Sequence, residues 1–272
     1  MDKLKFSNLN KKLIYLFLAC AVVFTAFQSF LILKFYEADI FLYAHGTALP
    51  TLFGVALALF VAVVLAYCSL CRCEEYDDKL AKTSALSFVF GILTAACVIM
   101  AGVMEYTAYK LRASDLMYIA QKEDKFIVFS SILAFVAFIY FLVPAKLNKL
   151  KALLGSVTVV WHILYLLSVY FDMTSPLNDP MRLMNEFALV GIMMYLTVEI
   201  RYLCGIPKKG FYVGVSVVAI TLLLGSSVSN LLFAFGGNTV QGGNMGIYVY
   251  QLFAAGYILT RLFAQLNNKK VD

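Results

Sequence analysis

His162 stands beside Trp161, the only tryptophan in a chain of 272 residues that holds just two histidines. Thr158, His162, Tyr165 and Asp172 follow steps of four, three and seven, which on an α-helix places them on one face. An imidazole so placed can exchange protons or hydrogen bonds with a polar solute. It holds a charge at membrane depth only where a carboxylate or water reaches it, and Glu105 and Asp172 are the acidic candidates. Gln28, Asn230 and Gln251 add amide groups that can orient a polar ligand.

Other chemistries lack their parts. With only His45 and His162, a multi-histidine metal or haem site cannot be assembled. Cys68, Cys71 and Cys73 precede Glu74-Glu75 and Asp77-Asp78, a set with some zinc-binding character. Structural zinc normally takes four ligands, and a second cysteine pair is missing. Acylated or free reduced thiols fit the same spacing. Neither a His-Glu-x-x-His, a Gly-x-Ser-x-Gly nor a Walker lysine loop occurs, so catalysis, a metal and a cofactor are not expected.

These residues sit in a chain that is 62% apolar and 14% charged, against soluble norms of about 45–50% and about 25%. Eight apolar stretches, at about 13–33, 51–71, 86–108, 126–144, 152–171, 181–204, 211–235 and 247–266, each have the length to cross roughly 30 Å of hydrocarbon. The expected fold is an all-α integral membrane protein, a bundle of eight transmembrane helices forming one domain over residues 1–272. The first stretch is too long for a cleavable signal and is expected to be retained.

Basic residues orient the bundle. Alternate links hold 16 and 6 of the 22 lysines and arginines, the larger share beside the two termini. Because cytoplasmic links accumulate Lys and Arg, both termini are expected in the cytoplasm. The net charge of +6 then reflects topology and not nucleic acid. A multi-pass protein of a plasma membrane, such as a bacterial inner membrane, is the expected setting, and the lipid bilayer its first partner.

Small residues mark close helix approach in lipid. Gly54, Ala58, Ala62 and Ala66 in span two, Ser87, Gly91 and Ala95 in span three, and Gly225-Ser226-Ser227 in span seven nominate those three as inner helices. Spans one and four read as lipid-facing.

The polar groups at depth gather in the outer half: Gln28, Glu105, His162, Asp172, Asn185, Glu186, Asn230 and Gln251. The inner half holds only Glu199 and Arg201. This distribution predicts an outward-facing polar vestibule that narrows near His162. A small solute would be bound or transported there by His162, Glu105, Asn230, Gln251, Gln28, Trp161 and Asp172. The rival expectation is a non-transporting component: a sensor, an assembly factor or the partner subunit of another membrane protein. Its ridges would then serve helix contacts, and its acidic turn at 74–78 would be a docking patch.

Overall fold

The computed structural model describes residues 9–44, 48–71, 73, 77, 79–115, 118–119, 122–172, 176–238 and 243–268. Eight helical segments among them are long and apolar enough to span a membrane. They are α1 (Lys11–Phe35), α2 (Leu49–Leu70), α3 (Ala85–Ala113), α4 (Lys122–Ala137) continued by the short α5 (Ile139–Leu142), α6 (Asn148–Phe171), α7 (Pro180–Leu203), α8 (Lys209–Phe235) and α9 (Met245–Asn267). Two short antiparallel strands, β1 (Tyr36–Glu37) and β2 (Leu42–Tyr43), form a small hairpin after α1.

Local chemistry sets the helix ends. Asn10, Ser84, Asp179 and Asn244 accept from the backbone N–H groups of Lys12, Ser87, Met181 and Ile247, capping α1, α3, α7 and α9. Pro180 follows its cap at the first helical position, as Asn178-Asp179-Pro180 suggests in the sequence. At the other end of α7, Gly205 has φ +79°, and the N–H groups of Gly205 and Ile206 return to the carbonyls of Tyr202 and Arg201. That Schellman closure needs a left-handed residue, which glycine supplies at no steric cost.

Span four is broken between Ala137 and Ile139. The Thr158 hydroxyl of α6 reaches the Ala137 carbonyl at 3.2 Å and so serves a backbone group at the break.

Helix contacts close a circuit: α3 packs on α9, α9 on α8, α8 on α7, α7 on α6, α6 on α4, and α4 on α3. Six spans therefore form a ring, with α1 and α2 laid against the outside of α8. Lys11 Nζ donates to Asn267 at 3.2 Å, so the chain enters and leaves the bundle at one end. We call this the terminal end, and its opposite the far end.

This order corrects the choice of inner helices. The apolar window of α8 is 78% buried and that of α2 only 17%. Gly54, Ala58, Ala62 and Ala66 are all exposed, and a Cβ at Gly54 would meet nothing within 4 Å. The ridge of α2 widens its outer surface instead of meeting a helix. On α3 the small face does pack: a Cβ at Gly91 would lie 2.5 Å from the Phe141 carbonyl, and one at Gly102 2.7 Å from Ala134. α2 docks through its other side, where Gly210 of α8 lets the Cys68 carbonyl come so close that a Cβ would sit 2.0 Å from it.

Candidate functional site

α9 presents a polar or aromatic side chain at nearly every turn of the ring interior: Asn244, Tyr250, Gln251, Tyr257, Arg261 and Gln265. These side chains reach across to other helices, so the ring axis is bridged at several depths.

Nearest the far end, Asn244 Nδ2 donates to Glu105 Oε2 at 2.8 Å, and the Ser168 hydroxyl lies 3.2 Å from Glu105 Oε1. This joins α3, α6 and the cap of α9. One step further in, Gln251 Nε2 donates to Asn185 Oδ1 at 2.6 Å, linking α9 to α7. Among the described residues Gln251 Oε1 and Asn230 Oδ1 are buried with no hydrogen-bond partner. A buried acceptor left without a partner costs about 1–3 kcal/mol, so each is a place where a donor would be welcome.

At mid-depth His162 is wholly buried. Its Nδ1 lies 2.7 Å from the Thr158 carbonyl and its Nε2 2.7 Å from the Tyr250 hydroxyl. Trp161 packs edge-on against it at a ring-centroid distance of 4.6 Å, Tyr250 lies tilted at 5.7 Å, and the Trp161 and Tyr250 rings meet edge-on at 5.3 Å. Both ring nitrogens are therefore satisfied by protein, and the open vestibule expected above His162 is closed by aromatic packing in this structure.

The residues expected to share that vestibule are separated. His162 and Glu105 lie on the ring axis at different depths. Asp172 ends α6, ten residues and about 15 Å from His162. Its carbonyl accepts from Arg182 Nη1 at 2.8 Å, while Arg182 Nη2 takes the Tyr170 carbonyl at 2.7 Å. Arg182 thus caps the far end of α6, where the helix dipole favours a cation. Gln28, on α1, lies outside the ring and pairs with Tyr43.

The terminal half is far more polar than its sequence suggests. Glu199 (α7) pairs with Arg261 Nη2 (α9) at 3.3 Å, both side chains having 0% exposure. The same carboxylate accepts from the Tyr140 hydroxyl (α5). Lys151 (α6), 1% exposed, donates to the Tyr257 hydroxyl and the Val143 carbonyl, each at 2.9 Å, and stands over the Tyr140 ring. Three ionisable groups therefore share one enclosed network inside the ring. Arg201, by contrast, is exposed.

Below this network Asp77, Lys79 and Ala81, from the link between α2 and α3, are clasped at the terminal end of α7 and α9. Arg261 Nη1 donates to the Ala81 carbonyl at 2.9 Å, and the Ala81 N–H donates to Gln265 Oε1 at 2.8 Å. Tyr202 and Asn268 hold the carbonyls of Asp77 and Lys79. Outside this plug lies a cavity of about 740 Å³, lined by Lys79, Lys82, Lys146 and Tyr202 together with apolar residues such as Leu80 and Leu203.

Arg261, Lys151, Tyr140 and Gln265 are the residues that sequence reasoning missed. Their signal was present but weak: Tyr250, Ala254, Tyr257, Arg261 and Gln265 keep steps of four, three, four and four on one helical face.

Among the described residues no three His, Cys, Asp or Glu side chains come together as a metal site. Burial pushes the Cys73 thiol up to about 11, so at neutral pH it is a thiol and not a thiolate ligand. Glu74, Glu75 and Asp78 lie outside the described residues, as does His45. The chain matches no known protein family, no curated protein and no solved structure.

Proposed function

We propose that this multi-pass membrane protein moves a small polar solute along the axis of the six-helix ring, in a cycle of which the present arrangement is a closed state. The observation that carries the reading is the enclosed Lys151–Glu199–Arg261 network. Ionisable groups inside a membrane bundle are costly, and where they face its interior they are marks of solute or proton pathways. The column continues through His162 and Tyr250 to Gln251, Asn230 and Glu105, so polar groups occupy every depth of the ring. Two closures interrupt it: the aromatic packing of Trp161, Tyr250 and Phe141 around mid-depth, and the plug clasped at Asp77, Lys79 and Ala81 at the terminal end. The excess of basic residues at the terminal end supports a cytoplasmic plug, with both termini cytoplasmic in a plasma membrane.

The test is iso-osmotic swelling of proteoliposomes against a panel of small sugars, polyols, amino acids and ions. At least one solute should swell vesicles bearing the wild-type protein and not those bearing Glu199→Gln. If no solute enters faster than into empty vesicles, the buried network is structural and the non-transporting reading stands.

A further inference from the structure

A second feature lies outside the ring, on the side where α2 stands away from α7. Both helices pack on α8 and leave a groove between them, floored by Leu222 and walled by Phe53, Leu57, Leu183 and Phe187. Gly54 and Ala58 form part of the α2 wall, and having almost no side chain they keep the groove open. The polar side chains in its lining are Gln28 and Tyr43, the latter on the hairpin at the far end.

Its dimensions select an occupant. From Pro50 to Val61 is eleven residues, about 16 Å of helix. One leaflet's share of a 30 Å hydrocarbon layer is about 15 Å. The groove has a volume of about 500 Å³, is as deep as one leaflet, apolar along its walls and polar toward its mouth.

We propose that this groove is a binding site for a phospholipid of the far leaflet. One acyl chain lies along Leu222 between α2 and α7, and the glycerol ester region hydrogen-bonds at Gln28 and Tyr43. Gly54 and Ala58 of α2 are then part of the wall of a lipid site, which accounts for the far-end half of the small-residue ridge.

Native mass spectrometry of detergent-purified protein, after incubation with a palmitoyl-oleoyl phosphatidylglycerol and washing, tests this. Wild type should retain one phospholipid per chain, and Ala58→Trp should retain at least tenfold less. Leu59→Trp, on the 62% exposed neighbour, should retain as much as wild type. Both variants should elute and melt like wild type, because positions 58 and 59 are both exposed. If Ala58→Trp does not fold, a Gly54→Cys protein probed with a diazirine-bearing phosphatidylglycerol replaces it. Crosslinks should map to residues 54–61 and to α7. No retained lipid in wild type, equal retention in both tryptophan variants, or crosslinks spread evenly over the apolar surface would overturn the site. So would a wild-type dimer that Ala58→Trp breaks, since that outcome assigns the groove to a second copy.

Discussion

The Glu199–Arg261 pair shows how little of a residue's environment its sequence position reveals. Arg261 stands six residues from the end of α9, where an arginine can equally reach the headgroups or turn inward. Only the tertiary arrangement, with Glu199 on α7 and Ala81 on the plug, decides for the interior. His162 was legible as an interior polar group because it sits mid-span beside Trp161. Its closure was not, since that depends on Tyr250 from a helix 88 residues away. Removing one member of a buried pair strands the other charge, at a cost of about 3–5 kcal/mol, whereas removing both together costs much less. Glu199→Leu should therefore lower the thermal midpoint in detergent by several degrees, and Glu199→Leu with Arg261→Leu should recover most of the loss. A double variant that falls by the sum of the single losses would mean that the two side chains do not depend on each other.

At the scale of elements, hydropathy was enough to find every span. The sequence-based limits fall within five residues of the helices, the widest gap being at the end of α3, expected at 108 and found at Ala113. What hydropathy could not supply was which side of each helix meets a neighbour. The ridge on α2 and the face on α3 look alike as sequence, yet one lines an open groove and the other packs against α4, α5 and α9. The α2 contact instead uses Gly210. Gly210→Val should detach the terminal end of α2 and reduce the yield of folded protein, while Ala62→Leu should be tolerated; equal yields would refute the docking surface. The plug is held chiefly by side chains of α7 and α9. Gln265→Ala removes a partner of Ala81, Lys79 and Tyr202. It should raise the reactivity of a cysteine at position 81 toward a water-soluble maleimide by at least fivefold, and unchanged reactivity would show that the clasp does not depend on Gln265.

For the whole molecule, the even number of spans and the Lys11–Asn267 contact put the first and last helices' outer ends together. On the proposed topology, the bias in basic residues assigns that end to the cytoplasm. In a cysteine-free background, Leu177→Cys should label from outside intact cells and Lys149→Cys only after permeabilisation; the reverse would invert the map. The proposal of an axial pathway is tested most directly along α9. Ala254 shares the face of Tyr250, Tyr257 and Arg261 and is fully buried, while Leu252 lies to the side of it. A small charged methanethiosulfonate, applied to the protein in vesicles, should modify Ala254→Cys over minutes as the ring opens, leave Leu252→Cys unmodified, and abolish solute entry. If position 254 stays as unreactive as position 252, water never enters the ring, and the buried polar column holds the bundle together without conducting anything.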